Sequence, residues 1–555
     1  MPTIKKHWAL IASIALLWIT VAVLLILSIK QNQGHLVYAI DDCYIHMAIS
    51  KNIAQHGVWG VTKYGFTSSS SSLLWTLLLS FIYFLVGVNE VTPFILNVIF
   101  ATLTICLVYV LLIRYELPTF YTFVALLSII FFTPLIALIF IGMEHTLHIL
   151  ITIPFVYISA EILSKEKPTV LEFSLLLILA PFVTMMRYEG LFLILVVCAL
   201  FAVKKQLSHS LLLGGLAIIP IAIYGAISIS NGCFFLPNPV LIKGNAPALS
   251  LIGIGNFFYH FGKHVIMTPH IIALVTVALI LFIFQFNKQR TLWKCSTIML
   301  IIFIVTTLLH MLFARTGWFF RYEAYLVALG IFVIAIGILE YLPKNLSITF
   351  DKRVMSKDVK EVAISLLVLV AVVSLVFLVI SPLAGRGLTS LIRIPQATTN
   401  TYEQQYQMGS FLKQFYHEES IAANDIGAIN YLADIKCLDL CGLGSLEVAR
   451  SKMDGDYDTQ EIHYLAKRKS IKIAIVYDPW FEECGGLPSQ WIKVGEWEIT
   501  NNVIHGGDTV SFYAVDPVGE RKLIENLRIF SSHLPKDVKE RGRYIDIDTK
   551  EVPKR

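Results

Sequence analysis

LLWTLLLSFIYFLVGV, residues 73–88, is the stretch whose reading decides the fold. It is apolar enough to enter a membrane but short, because a membrane-spanning helix needs about 20 mostly apolar residues. Eleven other apolar runs lie at about 8–28, 92–113, 119–140, 145–161, 170–186, 190–203, 211–229, 267–286, 296–314, 322–341 and 361–381. The 190–203 run must borrow flanking residues to span. Basic residues arbitrate, since Lys and Arg collect on the cytoplasmic side of such helices. Here they cluster at Lys5 and Lys6, at Arg114, at Lys165 and Lys167, at Lys204 and Lys205, at Lys288, Arg290 and Lys294, and from Lys344 through Lys360. If 73–88 does not span, all these clusters face the cytoplasm. If it does, Arg114 and every later cluster are put outside. The stretch therefore reads as a short helix in the outer interface or a re-entrant piece. The N-terminus is then cytoplasmic, and everything after Ile380 is outside.

Composition agrees with a membrane protein. Of 555 residues, 56% are hydrophobic and 15% charged, against about 45–50% and about 25% in soluble domains. A soluble enzyme, a disordered chain and a collagen-like chain are all poor fits. The net charge of +5 is small for this length, and no basic block or aromatic-basic ladder points to nucleic acid. The first apolar run follows Lys5, Lys6 and His7, exceeds a signal peptide's apolar core and lacks a small-residue cleavage site, so it reads as an uncleaved first span. The inward positive bias favours a bacterial plasma (inner) membrane.

The chain changes character near Gly385. Residues 1–385 read as a membrane module of about eleven spans, with outer loops at about 29–91 and 231–264. Residues 386–555 read as an extracytoplasmic α/β domain. Within it, 401–415 has the pattern of an amphipathic helix, and 471–476, 491–499 and 509–515 read as strands. Residues 345–360 read as a polar cytoplasmic loop. Cys437, Cys441 and Cys484 all fall outside, which admits one disulfide among them. Trp480, Trp491 and Trp497 offer stacking faces for a glycan but fit a domain core equally well, and core is the stronger reading.

The outer loops carry the candidate chemistry. Asp41 and Asp42 stand just after the first span, at the start of an amphipathic stretch with Ile45, Ile49 and Ile53 on one face. A helix start stabilises anions, so such a carboxylate would stay ionised and accept a proton from a bound hydroxyl. One Asp would suffice for capping. Glu144 lies between two apolar runs with no cation nearby in sequence, so it wants a partner, a metal or a substrate. His145 and His148 share a helix face, but without HExxH spacing a zinc site is not favoured. Arg187 and Arg321 sit at span ends. With Lys243 they suit a phosphate, Arg as a fork and Lys as a point charge. A carboxylate pair, an isolated Glu and several cations on one face fit transfer of a group carried on a lipid phosphate. No Walker A or GxGxxG motif points to a nucleotide.

These residues carry a resemblance. Asp41-Asp42-Cys43-Tyr44 matches a DDxY/F-type start to the first outer loop. Gln55-His56-Gly57, Phe66-Thr67-Ser68 and Leu74-Trp75 match a Gly-His-Gly then Tyr-Thr-Ser-x-x-Trp series. Gly142-Met143-Glu144-His145 matches a GLET-like element, and Arg187-Tyr188-Glu189-Gly190 an RPEG-like one. Leu236-Pro237-Asn238-Pro239 with Lys243 matches an LPNT…K element. Asn424-Asp425-Ile426-Gly427-Ala428-Ile429 and Asp439-Leu440-Cys441-Gly442-Leu443 match a GDAGAI…DLLGL-like run. In this order, over roughly 36–445, they resemble the GT-C superfamily of membrane glycosyltransferases, nearest in flavour to the mycobacterial-type terminal arabinofuranosyltransferases and their bacterial relatives. Tyr188 stands where Pro is usual and His145 where Thr is usual, which bears on sugar specificity.

The resemblance implies a GT-C-like polytopic helical fold and an inverting transfer of a hexosyl or pentosyl group from a polyprenyl-phosphate donor. The acceptor would be an envelope glycan, lipid or protein, reached beside the lipid bilayer. It implies Asp41, then Asp42, as catalytic base. Substrate-binding positions would be Tyr44, Trp75, Glu144, Arg187, Glu189, Asn238 and Lys243, and Arg321 joins them on topology. No cofactor is expected, and a divalent metal is not favoured. The competing readings are a lipid-linked sugar flippase, which should show internal repeats and midplane charges, and a non-catalytic envelope scaffold, in which Asp41→Asn and Asp42→Asn would be silent.

Overall fold

A computed structural model describes residues 2–244, 251–341 and 359–546. Most of the polar loop expected over 345–360, and the Lys243 side chain, lie outside the described residues. The protein is polytopic and mostly helical, with a sheet domain at its C-terminal end.

Among the described residues eight helices are long and apolar enough to cross a membrane: His7–Gln31, Val91–Arg114, Thr119–Ile141, His145–Ser164, Leu207–Ser230, Pro269–Gln289, Cys295–Phe313 and Phe377–Phe415. Four more apolar helices are shorter: Leu73–Val86, Val170–Met186, Gly190–Val203 and Ala324–Ile338. The runs expected at 170–186, 190–203 and 322–341 thus fold as helices of 17, 14 and 15 residues. At about 1.5 Å per residue these fall short of a bilayer's hydrocarbon thickness on their own.

Local chemistry sets the helix ends. The Thr169 hydroxyl accepts the Glu172 N–H, and the Glu172 carboxylate accepts the Thr169 N–H at 3.0 Å, a reciprocal cap. Buried side chains of the membrane module and of the first loop form one continuous apolar core, which also takes in Ile426, Ala428 and Tyr431 from the C-terminal domain.

The helix Val359–Thr401 runs straight through Gly385. A π-helical turn, Tyr402–Tyr406, and a further helix, Gln407–Phe415, continue it. The amphipathic helix expected at 401–415 is therefore the end of a longer rod. Beyond it lies a six-stranded sheet of order β2-β1-β3-β5-β4-β6. The strands are β1 Ser420–Ala423, β2 Lys436–Asp439, β3 Ile473–Val476, β4 Ile492–Glu498, β5 Thr509–Ala514 and β6 Lys539–Gly542. β2, β1 and β3 are parallel, and β5, β4 and β6 pair antiparallel. All four residues of β3 are buried, as the central strand of a sheet covered on both faces requires. Trp497 and Trp491 are core, at 0% and 5% exposed. The disulfide admitted by Cys437, Cys441 and Cys484 does not form, and all eight cysteines are free.

Two features dock the C-terminal domain on the first loop. Lys51 donates to the Tyr431 carbonyl at 3.0 Å and pairs with Asp434 at 3.1 Å. Lys63 pairs with Glu418 at 3.0 Å.

Candidate active site

Asp41 and Asp42 begin the helix Asp42–His56 but serve different neighbours. The Asp41 carboxylate does not cap that helix. Its two oxygens accept the backbone N–H groups of Gly427 at 2.7 Å and Ala428 at 2.8 Å. Position 427 needs glycine, because a Cβ there would lie 2.1 Å from the Asp41 carbonyl oxygen and 2.7 Å from its carboxyl carbon. The helix-start argument for a lowered Asp41 pKa does not hold. Burial, then the negative charge of Asp425, outweigh the two amides and push the carboxyl up to about 8. Burial likewise raises Asp425 to about 6, although Gln405 donates to it at 2.8 Å.

Asp42 forms an ion pair with Arg321. The Arg321 guanidinium also donates to the Tyr322 hydroxyl at 3.0 Å and to Met143 Sδ at 3.0 Å, and lies 4.8 Å from the Tyr322 ring centre. A second arginine stands beside it. Arg187 donates to Glu144 at 2.7 Å and, through Nε and Nη2, to both oxygens of Glu189 at 3.2 and 2.8 Å. Glu144 is fully buried and thus has the partner its isolation in sequence called for. Its other oxygen lies 3.8 Å from His46. Gly142 brings this second connection under the first loop. Its φ is +71°, and a Cβ there would lie 2.4 Å from the Tyr38 ring and 2.7 Å from Cys43 Sγ.

The loop that presents Arg321 is strained. Gly317, Trp318, Phe319 and Phe320 have φ of +82°, +43°, +53° and +66°. For a side-chain-bearing residue the left-handed form costs roughly 1–2 kcal/mol. Such a turn persists only where its surroundings over-determine it. The Gly317 N–H donates to Glu323 at 2.8 Å, Arg386 donates to the Phe320 carbonyl at 2.6 Å, and His310 meets the Arg315 carbonyl at 3.1 Å. Glu323 is itself paired with Arg386 at 2.9 Å. Arg386 also holds the carbonyls of Phe132 and Thr133, so it ties the long helix to this loop.

Two cavities meet at these residues. The smaller, about 170 Å³, is lined by Asp42, Arg187, Glu189, Arg315, Arg321 and Tyr322, with Phe192, Val240 and Phe313 among its apolar residues. The larger, about 470 Å³, lies between the first loop, the strained loop and the C-terminal domain. It takes Asp41, Asp42, Arg315, Arg321, Tyr322, Asn424, Asp425, Trp480 and His505. Asp42, Arg315, Arg321 and Tyr322 line both.

Of the residues singled out in the sequence, Asp42, Arg187, Glu189 and Arg321 thus line the smaller cavity, with Glu144 directly behind Arg187. Asp41 lines only the larger one. Asn238 lies apart, in a pocket between the first loop and β2, where it donates to the Gly442 carbonyl at 3.1 Å. Tyr44 and Trp75 are fully buried. Tyr44 packs against Tyr38 and Tyr431, and Trp75 against Phe100. His145 and His148 are buried, and His148 packs on Tyr325 at 4.4 Å. Among the described residues no three His, Cys, Asp or Glu side chains gather as metal ligands would. Sequence reasoning did not choose Asn424, Asp425 or His505 as site residues, and it set Arg315 and Tyr322 on the same outer connection as Arg321 without choosing them. Asn424 and Asp425 lie inside a motif it had quoted.

Comparison with known proteins adds three findings. A family described as a domain of unknown function (DUF8728) matches residues 394–513. No curated protein sequence matches the chain. Among solved structures the chain is similar to ArnT from Cupriavidus metallidurans bound to undecaprenyl phosphate, with a TM-score of 0.52 and 12% identity, over 92% of this chain and 99% of that one. At that identity the likeness speaks to architecture: the chain has a GT-C-like fold, a polytopic helical membrane module carrying a C-terminal sheet domain.

Proposed function

We propose that this protein is an inverting membrane glycosyltransferase that moves a hexosyl or pentosyl group from a polyprenyl phosphate to an envelope acceptor on the outer face of a bacterial plasma membrane. In this reading the N-terminus is cytoplasmic and the C-terminal domain extracytoplasmic. The observation that carries the reading is the meeting of the two cavities at Asp42 and Arg321. One cavity combines arginines with apolar walls, which suits a lipid phosphate. The other carries more polar side chains, Asp41, Asn424, Asp425 and His505 among them, which suits a hydroxylated acceptor. The ArnT likeness supports the same donor class, since that protein was solved with undecaprenyl phosphate.

The residues then divide the work. The donor phosphate enters the smaller cavity and competes for the Arg321 guanidinium, which releases Asp42. The Asp42 carboxylate takes the proton of the acceptor hydroxyl, whose oxygen attacks the anomeric carbon from the side of the larger cavity. The bond from that carbon to the phosphate oxygen breaks, and Arg321 and Arg187 meet the charge of the departing phosphate. Asp42 takes the base role because it alone of the neighbouring carboxylates lines both cavities. Asp41, with both oxygens held by backbone amides, anchors the C-terminal domain.

Sugar transfer in membranes expressing the full chain tests this, with a panel of radiolabelled polyprenyl-phosphate sugars. Asp42→Asn should lower transfer by about 10²–10⁴-fold, the usual contribution of a general base, while undecaprenyl phosphate still binds. Equal transfer by wild type and Asp42→Asn would sink the base assignment.

A further inference from the structure

We infer that the acceptor is a neutral glycan chain of two or more residues, laid along a groove in which Trp480 stacks on a sugar ring. The inference rests on the glycosyltransferase reading for what the groove feeds, but the groove has its own evidence.

The two cavities at Asp42 are part of a longer series. The larger one shares Cys441, Lys452 and Trp480 with a third cavity of about 360 Å³, lined further by Tyr457, Pro479, Glu482 and Glu483. All lining residues of that third cavity come from the C-terminal domain. A ligand that fills it therefore arrives along that domain and not between the spans. Each of these two cavities falls in the range of ordinary ligand sites, roughly 300–1,000 Å³. A single sugar would occupy only the one beside Asp42. A chain would occupy both.

Trp480 stands where the two join. It is 40% exposed, whereas Trp491 and Trp497 are 5% and 0%. Its ring is fixed in place. The indole N–H donates to the Gly506 carbonyl at 3.3 Å, and the ring lies 5.2 Å from that of Tyr477. Gly506 lets it approach the backbone closely, since a Cβ there would fall 2.1 Å from the ring. A rigid aromatic surface backed by protein and open to a cavity offers the apolar face of a sugar a platform at little entropic cost.

Asn424 supplies an independent sign of a hydroxylated ligand. It lines the larger cavity and is 4% exposed. Its Oδ1 accepts the Tyr477 N–H at 2.8 Å, which fixes the amide, and its Nδ2 has no hydrogen-bond partner. A buried donor of that kind calls for an acceptor oxygen. The charges along the groove are mixed, with Lys452 against Glu482 and Glu483, and Arg315 and Arg321 against Asp41, Asp42 and Asp425. The carboxylates along the groove disfavour a polyanion and the interspersed cations a polycation, so a neutral glycan fits best.

The test uses the full-length protein in nanodiscs. The probes are neutral oligosaccharides of one to six residues, released from the source organism's envelope and size-fractionated, with binding read by saturation-transfer NMR. Undecaprenyl phosphate binding is measured separately on the same samples. Chains of two or more residues should bind at least tenfold tighter than the monosaccharide. Trp480→Ala should lose at least tenfold of that affinity, and Trp480→Phe should keep most of it. Undecaprenyl phosphate should bind both variants as it binds wild type, which also shows that they are folded. Equal affinity for one residue and for several, unchanged binding by Trp480→Ala, or no oligosaccharide binding at all would overturn the inference. Trp480-dependent chain binding without any undecaprenyl phosphate binding would leave the groove standing and bring down the transferase reading instead.

Discussion

In the smaller cavity Arg187 and Arg321 arrive already paired, Arg187 with Glu144 and Glu189 and Arg321 with Asp42. In the larger cavity the Asn424 Nδ2 lacks an acceptor, and the carboxyls of Asp41 and Asp425 are raised by burial and, at Asp41, by each other's company. The first cavity is made by one module and the second by two. The difference teaches what each can hold. Paired charges against an apolar wall exchange a resident carboxylate for an incoming phosphate at small cost, because the cation never goes unpaired. An unsatisfied neutral donor such as the Asn424 amide calls for a hydroxyl.

Removing the cation of the shared wall is the sharpest way to break this contrast. Arg321→Gln removes the cation that pairs with Asp42. Breaking a buried pair costs about 3–5 kcal/mol. The Asp42 side chain is 25% exposed, so water takes up part of that loss and the expected cost is about 2–3 kcal/mol. Undecaprenyl phosphate affinity should fall more than tenfold and transfer should be lost. Arg321→Lys should recover binding only in part, since an ammonium lacks the planar fork. Unchanged lipid affinity in Arg321→Gln would place the phosphate elsewhere and dissolve the division between the cavities.

A smaller effect separates Asp41 from Asp42. Unfolded, the Asp41 carboxyl ionises near its ordinary value of 3.8; folded, burial and Asp425 hold it at about 8. Between those values the folded chain keeps a proton that the unfolded chain has lost. Stability from this group is therefore present at low pH and declines as pH rises through that window. Asn cannot ionise, so Asp41→Asn should cost most near pH 5 and least near pH 8, as read from thermal midpoints in detergent. A difference that stays constant across that range would mean that Asp41 is ionised throughout, and would return it to candidacy as the base.

The reading of the sequence reached the helical membrane module, and picked out loop residues that the structure brings together, because both are written locally. Long apolar runs and clustered Lys and Arg identify spans without any tertiary knowledge. Asp42 and Arg321 were each picked out alone, one beside a helix start and the other at a span end. What sequence could not show was where distant chain returns. The partners of Asp41 lie nearly four hundred residues away, at Gly427 and Ala428. Arg386 stands just past the point where the composition turns polar, yet it is buried and braces the loop at 317–320. Trp480, Trp491 and Trp497 look alike in sequence, and only burial tells the exposed ring from the two core ones. The disulfide reading failed because compartment allows a bond but only geometry makes one.

The smallest effect concerns the wall between the cavities. Trp318 holds φ of +43°, lines the larger cavity and is half exposed, so its buried half contributes about 1–2 kcal/mol of packing. Glycine reaches that backbone form without the steric penalty of roughly 1–2 kcal/mol, but its greater freedom when unfolded returns roughly 0.5–1 kcal/mol. With the lost packing counted against that small backbone gain, Trp318→Gly should cost about 1 kcal/mol, which a denaturation midpoint should register as a small fall. If the strain serves to hold Arg321 between two ligands, the relaxed loop should at the same time bind undecaprenyl phosphate a few-fold less tightly, because a looser guanidinium loses its pre-set geometry. Unchanged or tighter lipid binding in that variant would show that the left-handed turn is a by-product of packing Glu323 and Arg386, and that the ion pair of Asp42 and Arg321 fixes the wall without it.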